Sequence, residues 1–329
     1  MELSHPEIFK AYDIRGVVGQ SLTHEIVEQI GQAIGTEALI AGDSAVVVGR
    51  DGRISGPSIA SALMDGICAS GCNTVDIGMV PTPFTYFSSH ELGIGSAVSV
   101  TGSHNPPDYN GLKVMIGTHT LAAERIQALR ERIATQDFSK GTGKRQSHDI
   151  VPAYIDRVVG DIRLDRPLRI VTDCGNGVAG MAAPRLLRDI GCEVSELFSE
   201  VDGNFPNHHP DPSVAKNLAS LIDTVQRENA DLGLVFDGDG DRLGVVSGTG
   251  QIIWPDRQMI LFAKDILSRN PGAQIVYDVK CSRLLPRAIE QAGGRPLMWK
   301  TGHSFIKGKI RETGAALGGE MSGHLFFKE

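Results

Sequence analysis

The chain has 329 residues, of which 41% are hydrophobic and 22% are charged, and its formal net charge is −7. This composition is that of a globular protein rather than a disordered one, and at ~150 residues per domain the length suggests two or three domains. The negative charge argues against nucleic-acid binding, which normally requires a local or overall excess of basic residues.

The N-terminal residues M-E-L-S-H-P-E-I-F-K lack a basic segment followed by an apolar run, so they do not resemble a secretory signal. No apolar stretch approaches the ~20 residues needed to span a bilayer. The five cysteines lie in apolar segments and form no zinc set with nearby histidines, which favours buried, reduced thiols. We therefore expect a cytoplasmic protein that contacts neither membranes nor nucleic acid.

One pattern of strand, polar turn, helix, glycine and strand occurs three times along the chain. The three copies begin at the predicted strands A-V-V-V-G (45–49), R-I-V-T-D (169–173) and Q-I-V-Y-D (274–278). Predicted helices follow over 57–70, 181–190 and 284–292. This order is typical of a right-handed crossover between parallel strands. The short runs rich in Val and Ile indicate strands that are covered on both faces.

Each copy also has a later strand that leads into a polar loop. The three loops are T-G-S-H-N-P (101–106), D-G-D-G-D-R (237–242) and G-E-M-S-G-H (319–324). Ligands of open α/β sheets bind beyond strand ends, so we expect these loops to form one site. The prediction is an α/β fold of three related units, with mixed sheets sandwiched between helices and a cleft between the units. Polar segments near 138–150 and 247–253 predict boundaries that give units over 1–148, 149–250 and 251–329.

Two polar segments of the first unit contain candidate anion-binding groups. In F-K-A-Y-D-I-R-G (9–16), Arg15 is expected in a short turn, where it faces an anion or pairs with Asp13. After the buried strand, Ser103 lies among Gly, Asn and Pro residues, in a loop able to hold a hydroxyl in place and direct backbone N–H groups at an anion. His104 and Lys113 are nearby partners for that anion. The spacing is not G-x-S-x-G, so the residues alone leave both a turn serine and a reactive serine open.

The segment D-G-D-G-D-R predicts a metal site. Asp237, Asp239 and Asp241 alternate with glycines, which lets all three carboxylates reach one small ion. Oxygen ligands favour Mg²⁺ or Ca²⁺ over zinc. An EF-hand would need a glutamate at the twelfth position, which is Gly248 here, and the preceding L-G-L-V-F is predicted as a strand. Mg²⁺ is preferred because it usually combines few carboxylates with a substrate phosphate.

Two segments of the third unit complete the set of candidates. K-T-G-H-S (300–304) precedes a predicted helix, with Ser or Thr as the expected N-cap and with free backbone N–H groups that suit an anion. His303 is a candidate for proton exchange with a sugar hydroxyl, although a histidine beside a helix cap is often structural. Glu320 and Ser322 are candidate acceptors for vicinal sugar hydroxyls, and His324 is a further partner.

In chain order, these motifs resemble the α-D-phosphohexomutase superfamily, in particular its bacterial phosphomannomutase/phosphoglucomutase branch. The motifs that carry the resemblance are A-Y-D-I-R-G (11–16), T-G-S-H-N-P, D-G-D-G-D-R, K-T-G-H-S and G-E-M-S-G-H, together with V-D-G-N-F-P-N-H-H-P-D-P (201–212). The resemblance implies an isomerase of carbohydrate metabolism and polysaccharide biosynthesis. Its ligands would be hexose 1-phosphate, hexose 6-phosphate and hexose 1,6-bisphosphate, and we expect a monomer.

The resemblance also assigns roles to individual residues. It implies that Ser103 carries a phosphate in the resting enzyme and that this group, Asp237, Asp239 and Asp241 hold Mg²⁺. Catalytic roles are implied for His104, Lys113, Arg242 and His303, and substrate contacts for Tyr12, Arg15, Lys280, Glu320, Ser322 and His324. These roles agree with phosphoryl transfer, which requires in-line positioning and neutralisation of the moving group.

Three other functions stay open at this level. One is phosphoglucosamine mutase or another mutase of the superfamily, although Met321 resembles the mannose/glucose branch more closely. Another is an aspartyl-phosphate phosphatase with Asp237 as the nucleophile. A third is a chain that binds sugar phosphates with little turnover.

Family members carry a fourth domain whose R-x-S-N-T-x-P loop clamps the distal phosphate, whereas this sequence ends at H-L-F-F-K-E. We therefore expect the resemblance to cover three domains, the third of them incomplete.

Overall fold

A computed structural model describes residues 5–328. The first four residues of the segment predicted to lack a secretory signal lie outside the described residues, as does position 329. Three sheets follow one another along the chain, and helices flank each of them. Within the described residues, no helix is both long and apolar enough to cross a membrane.

The first sheet has seven strands, namely β1 (Ile14–Val17), β2 (Ala45–Arg50), β3 (Asn73–Met79), β4 (Ser96–Val100), β5 (Tyr109–Ile116), β6 (His119–Thr120) and β7 (Arg145–Ser147). Their order is β1-β5-β4-β2-β3-β7, with β6 beside β5. The helices of this part of the chain are α1 (His24–Ile40), α2 (Gly56–Ala69), α3 (Thr82–Glu91), α4 (Glu124–Thr135) and α5 (Val151–Asp161).

The second and third sheets are smaller. The second comprises β8 (Arg169–Asp173), β9 (Glu193–Leu197), β10 (Leu232–Phe236), β11 (Leu243–Ser247) and β12 (Ile252–Ile253), with helices α6 (Ala183–Asp189) and α7 (Ala219–Glu228). The third comprises β13 (Gln274–Asp278), β14 (Arg295–Trp299), β15 (Leu317–Gly319) and β16 (Leu325–Phe327), with helices α8 (Pro255–Arg269), α9 (Leu284–Gln291) and α10 (His303–Thr313). Short 3₁₀ helices lie at Pro6–Ile8, Val178–Met181 and Ala215–Leu218.

The strand orders repeat from sheet to sheet. The order β3-β2-β4-β5 of the first sheet returns as β9-β8-β10-β11 in the second and β14-β13-β15-β16 in the third. In each set the first three strands are parallel and the fourth is antiparallel. The predicted α/β class and the threefold repeat are therefore confirmed.

Close helix packing in the first unit depends on two glycines. A Cβ on Gly31 of α1 would lie 2.3 Å from the carbonyl oxygen of Leu63, and a Cβ on Gly66 of α2 would lie 2.0 Å from that of Glu28. Larger residues at either position would therefore push the helices apart. The buried apolar side chains of α1, α2 and α4 pack together on one face of the first sheet and form the largest core cluster.

The polar segments near 138–150 and 247–253, where unit boundaries are predicted, contain strands of the folded units. Strand β7 lies in the first of them and pairs in parallel with β3. Helix α5 packs on the first unit, where the Tyr154 ring stacks on that of Phe84 with centroids 3.8 Å apart. Strand β12 pairs with β11 of the second sheet. The unit boundaries at 148 and 250 remain a prediction, and the chain around each of them is ordered by strand pairing.

The loops that follow β4, β10 and β15 come from the equivalent strand of each repeat. Because these strands are parallel to the central strand of their sheets, all three loops leave from carboxyl ends. They converge at the junction of the three units.

Candidate active site

A cavity of about 650 Å³ lies where the loops of the three units meet. All of the predicted catalytic and substrate-contacting residues line this cavity, namely Tyr12, Arg15, Ser103, His104, Lys113, Arg242, Lys280, His303, Glu320, Ser322 and His324. The predicted metal-binding aspartates lie behind its wall, in contact with Ser103 and Lys113. The structure therefore brings the whole predicted set together.

The loop after β4 holds Ser103 in an unusual backbone conformation, with φ at +48°. This left-handed region is uncommon for a residue with a Cβ and indicates a constrained loop. The backbone N–H of Ser103 donates to the Thr101 hydroxyl at 2.7 Å, and its own hydroxyl donates to Asp237 Oδ2 at 2.8 Å. The Nδ1 atom of His104 lies 3.3 Å from the same hydroxyl. Ser103 is thus aimed at the second unit.

A buried arginine that the sequence interpretation did not single out holds this loop. Arg53 is 1% exposed, and its guanidinium donates to four backbone carbonyls, three in the loop and one at the first residue of β5. These are the carbonyls of Ser103 (2.9 Å), Asn105 (2.6 Å), Pro106 (2.6 Å) and Tyr109 (2.8 Å). Four charge-assisted hydrogen bonds from one side chain leave the loop little freedom.

A buried aspartate recurs at the end of the central strand of each repeat. These residues are Asp51, Asp173 and Asp278. Asp51 accepts hydrogen bonds from the Thr101 hydroxyl at 2.7 Å and the Gly102 N–H at 3.1 Å. Asp51 and Arg53 therefore both hold the loop that contains Ser103, which we call the serine loop. The three aspartates stand at matching places in the sequence repeat, which is the signal that would have identified them.

The loops of the first and second units touch directly at Gly238. A Cβ on this residue would lie 2.3 Å from the carbonyl oxygen of Ser103. A glycine is therefore required between the first two aspartates of D-G-D-G-D-R. This close approach brings the serine hydroxyl within reach of Asp237.

The three aspartates of this loop form a compact cluster. One oxygen from each of Asp237, Asp239 and Asp241 lies within 4.8 Å of the others. Asp237 Oδ1 accepts the backbone N–H groups of Asp241 at 3.0 Å and Arg242 at 3.1 Å. The ammonium group of Lys113, from the first unit, donates to Asp239 Oδ2 at 2.6 Å and to Asp241 Oδ2 at 2.5 Å.

The pKa values of the three-aspartate cluster and of Lys113 are shifted by burial and by the charges of their neighbours. Burial, with the charges of Asp239 and Asp241, raises the pKa of Asp237 to about 8. Burial and Asp241 also act to raise the pKa of Asp239, but Lys113 outweighs them and the net shift is downward. For Lys113, burial acts to lower the pKa, and the aspartates more than reverse this, so it stays protonated.

The donor set fits a small, hard cation. It consists of carboxylate oxygens with the Ser103 oxygen beside them, which are ligands that Mg²⁺ and similar ions prefer. Asp239 Oδ1 is buried and has no hydrogen-bond partner among the residues that the structure describes. A cation at this atom would satisfy it and would offset the repulsion among the carboxylates, which adds to burial in raising the pKa of Asp237.

The predicted N-cap of the helix after K-T-G-H-S is wrong. The N-cap residue of α10 is Gly302, whose φ of +134° is a conformation that glycine tolerates best. The hydroxyl of Thr301 donates instead to Asp278 Oδ2 at 2.9 Å, and Ser304 lies inside the helix. The N–H of Gly302 donates to Glu320 Oε1 at 2.5 Å, so this backbone group is bound to a side chain rather than left for an anion.

His324 connects the third unit to the metal cluster. Its Nδ1 lies 2.9 Å from Glu320 Oε2 and 2.9 Å from the Ser322 hydroxyl, and its Nε2 lies 3.1 Å from Asp241 Oδ1. Burial acts to lower the pKa of His324, but Asp241 and Glu320 outweigh it and the net shift is upward. The imidazole therefore links the candidate sugar-binding carboxylate to a candidate metal ligand.

The pKa values of His303 and His104 are shifted downward, in the opposite direction from that of His324. Burial, with the charges of Lys307 and Lys113, holds the pKa of His303 well below its usual value. Burial, with Arg242, lowers the pKa of His104 to about 4. Both rings are therefore neutral at neutral pH. The Nε2 atom of His303 is buried without a partner among residues 5–328, and the Tyr12 ring meets the His303 ring edge-on, 5.5 Å between centroids.

Arg15 lies on strand β1, and the prediction that it occupies a turn is wrong. The strand forms because the residues from Ile14 to Val17 pair with β5. Both predicted contacts of Arg15 are compatible with its position, since it lines the cavity and also donates to Asp13 Oδ2 at 2.5 Å. It further donates to Asn105 Oδ1 at 2.8 Å and to the carbonyl of Gly102, in the serine loop.

Comparison with known protein families matches most of the chain to one family. The phosphoglucomutase/phosphomannomutase α/β/α domains I, II and III match residues 6–140, 152–250 and 254–329 respectively. Together these matches cover most of the chain.

Individual relatives agree with this assignment. The chain is 58% identical over 322 residues to the phosphomannomutase/phosphoglucomutase of Pseudomonas aeruginosa, a match that covers 98% of this chain and 70% of the relative. It is 52% identical over 326 residues to a phosphoglucomutase of Neisseria gonorrhoeae, covering 98% of this chain and 71% of the relative. A crystal structure of a phosphoglucomutase/phosphomannomutase family protein from Burkholderia thailandensis is 54% identical and superposes with a TM-score of 0.95, over 98% of this chain and 72% of that one.

Proposed function

Because the chain belongs to the phosphoglucomutase/phosphomannomutase family and is a phosphohexomutase, we propose that it moves a phosphoryl group between O1 and O6 of mannose and glucose phosphates through Ser103. The observation that carries this proposal is the placement of the Ser103 hydroxyl. It lies in a constrained loop, 2.8 Å from a buried three-aspartate cluster, at the wall of a cavity of about 650 Å³.

The reaction would consist of two phosphoryl transfers of opposite direction. In the first, the bond between phosphorus and the Ser103 oxygen breaks while a bond to a sugar hydroxyl oxygen forms. The hydroxyl proton passes to a base, and the Ser103 oxygen regains a proton. The bisphosphorylated sugar then turns around in the cavity, and its other phosphate returns to Ser103 by the reverse steps. His303 is the candidate base, because it lines the cavity and its buried Nε2 has no partner among the described residues.

Magnesium is the cation we propose for Asp237, Asp239, Asp241 and the phosphorylated Ser103. When bound, it would neutralise charge on the moving phosphoryl group. Lys113 already neutralises part of the cluster, with its ammonium 2.6 Å from Asp239 and 2.5 Å from Asp241. Preorganised charge of this kind is usually the largest catalytic contribution in such sites.

The third unit would bind the sugar. Glu320 and Ser322 line the cavity, and each Glu320 oxygen holds one hydrogen bond, which leaves acceptor capacity for hydroxyl groups. His324 fixes the orientation of that carboxylate.

Tyr12 and Lys280, which line the same cavity and are exposed, would contact other parts of the substrate. His104, Arg15 and Arg242 would contact its phosphate groups.

The alternative functions receive less support. For an aspartyl-phosphate phosphatase, Asp237 would have to attack phosphorus, but it is fully buried and both of its oxygens accept hydrogen bonds. A preference for glucosamine phosphate would agree less well with relatives whose names include mannose or glucose mutase activity. We further propose a cytoplasmic monomer, and the five free cysteines support a reducing compartment.

The test is turnover of mannose 1-phosphate and glucose 1-phosphate with Mg²⁺ and a trace of hexose 1,6-bisphosphate. Wild type should convert both sugars, and Ser103→Ala should lose activity by several orders of magnitude. Ser58→Ala, which removes an exposed hydroxyl of α2, is the matched control and should keep wild-type activity. Near-normal turnover of Ser103→Ala would overturn the proposal.

A further inference from the structure

Asp239 belongs to the second unit, but its side chain is held by the first. The Thr82 hydroxyl donates to Asp239 Oδ2 at 2.5 Å, and Lys113 Nζ donates to the same oxygen at 2.6 Å. The backbone N–H of Thr82 also donates to the carbonyl oxygen of Asp239 at 2.9 Å. Thr82 and Asp239 are both fully buried. One threonine thus contacts both the backbone and the carboxylate of a candidate metal ligand.

The position of Thr82 explains why both of its groups are available. It is the first residue of α3, in the segment V-P-T-P (80–83), and the N–H groups of a first helical turn have no partner within the helix. Its hydroxyl lies 2.9 Å from the Ser99 hydroxyl. A hydroxyl has one proton, and an ionised carboxylate only accepts, so Thr82 donates to Asp239 and accepts from Ser99. Ser99, Thr82 and Asp239 therefore form a chain of hydrogen bonds that ends at the metal cluster.

The two carboxylate oxygens of Asp239 differ in their hydrogen-bond partners. Oδ2 receives both donors, whereas Oδ1 is buried and has no hydrogen-bond partner in the described part of the chain. A partial rotation of the carboxylate would weaken both bonds to Oδ2, and a half-turn would only exchange two equivalent oxygens. The side chain is therefore fixed with Oδ1 as the oxygen available to a cation.

We propose that Thr82 is a positioning residue for the metal site, holding Asp239 so that its Oδ1 faces the cation and thereby setting the affinity for Mg²⁺. This inference rests on the proposed metal site and adds to it a contact across the junction of the first two units. Hydrogen bonds to metal-ligating carboxylates commonly have this role, and their removal typically weakens metal binding about 10–100-fold.

The experiment measures Mg²⁺ affinity by isothermal titration calorimetry on dephosphorylated protein. Thr82→Val keeps the shape of the side chain and removes the hydroxyl, and we expect it to weaken binding about 10–100-fold. Thr82→Ser keeps the hydroxyl and should bind close to the wild-type affinity. Thr85→Val is the matched control: Thr85 is also fully buried on α3, but its hydroxyl has no hydrogen-bond partner among residues 5–328, so its loss should not change the affinity.

The outcomes separate the role of Thr82 from the metal site itself. If Asp239→Asn loses Mg²⁺ binding while Thr82→Val binds as wild type does, the role of Thr82 is refuted and the site stands. If Asp239→Asn binds Mg²⁺ with wild-type affinity, the proposed metal site fails. Should Thr82→Val not fold by circular dichroism, Thr82→Cys replaces it, because a thiol is only a weak donor. An unchanged affinity in Thr82→Cys would then refute the role of Thr82.

Discussion

The hydroxyl of Ser103 donates a 2.8 Å hydrogen bond to Asp237, a residue of the second unit that follows 134 positions later in the chain. This contact joins the loop proposed to carry the phosphate to the loop proposed to hold the metal. The third unit joins the same cluster through His324 and Asp241. No single unit contains the candidate site, so its geometry depends on how the three units pack.

Arg53 tests how far the serine loop depends on one buried side chain. Arg53→Met would remove four hydrogen bonds to backbone carbonyls and leave the buried Asp51 without its ion-pair partner, 3.3 Å away. Breaking a buried ion pair in this way costs about 3–5 kcal/mol of the free energy of unfolding. Urea denaturation should show this loss, and phosphorylation of Ser103 by hexose 1,6-bisphosphate should slow.

The control for this prediction is Arg50→Met, in the same segment, where no hydrogen bond or ion pair of the side chain is found among residues 5–328. It should retain most of the wild-type stability. If Arg53→Met unfolds at the wild-type urea concentration and is phosphorylated at the wild-type rate, the arginine does not hold the loop.

Metal binding should be visible in thermal stability. A ligand that binds only the folded state at 100 times its Kd stabilises it by about 2.7 kcal/mol, so Mg²⁺ should raise the Tm of wild type. Asp239→Asn should show a much smaller rise. Asp211→Asn, at another aspartate beside the same cavity, should respond as wild type does. Excess chelator should reverse the rise, and an equal rise in Asp239→Asn would place the metal elsewhere.

Glu320→Gln should impair both sugars. The carboxylate accepts the Gly302 N–H at 2.5 Å and lies 2.9 Å from His324 Nδ1, and an amide cannot accept at both places. Charged hydrogen bonds are worth about 1.5–3 kcal/mol, so we expect a higher KM and a lower kcat for mannose and glucose phosphates. The two sugars differ only at C2. If steady-state kinetics show that turnover of only one of the two sugars is impaired, Glu320 contacts the hydroxyl group at C2.

A pH-dependent contribution to stability should come from His208, in the segment V-D-G-N-F-P-N-H-H-P-D-P. Its Nε2 lies 2.9 Å from Asp173 Oδ1. Burial acts to lower the pKa of His208, but the hydrogen bond and charge of Asp173 outweigh it and raise the pKa. Because the pKa of His208 is higher in the folded protein, its pair with Asp173 stabilises the folded state fully below the unfolded-state pKa of about 6.5. This stabilisation is lost as the pH rises through the folded-state pKa.

The measurement is the difference in unfolding free energy between wild type and His208→Gln, at pH 6 and at a pH well above the folded-state pKa. We expect the wild-type advantage to be larger at the acidic pH. Equal differences at both pH values would show that the pair with Asp173 does not bind a proton more tightly in the folded state.

The repeat made the fold predictable from the sequence. Short Val- and Ile-rich strands, predicted helices followed by Gly71 and Gly191, and three polar loops in equivalent positions were sufficient to predict three α/β units. The loops were then predicted to form one site because each follows a strand, and ligands of open α/β sheets bind beyond strand ends. The five motifs contain every side chain of the predicted site except Lys113 and Lys280.

Contacts between units could not be predicted in the same way. Thr82 and Asp239 are 157 positions apart, and nothing in the V-P-T-P segment indicates that its hydroxyl reaches another unit. Arg53 stands in what looks like an ordinary polar turn. The cap of α10 was mispredicted for a related reason: the Thr301 hydroxyl bonds to Asp278, which is distant in sequence, so the local preference for Thr or Ser as a cap did not decide the outcome.

The most direct test of the account is the location of the covalent phosphate. The protein is incubated with hexose 1,6-bisphosphate and Mg²⁺, its intact mass is measured, and its peptides are mapped by mass spectrometry. We predict one added phosphoryl group, stable to mild base, on the peptide that contains Ser103, and none on Ser103→Ala. A base-labile phosphate on the peptide that contains Asp237 would contradict the account.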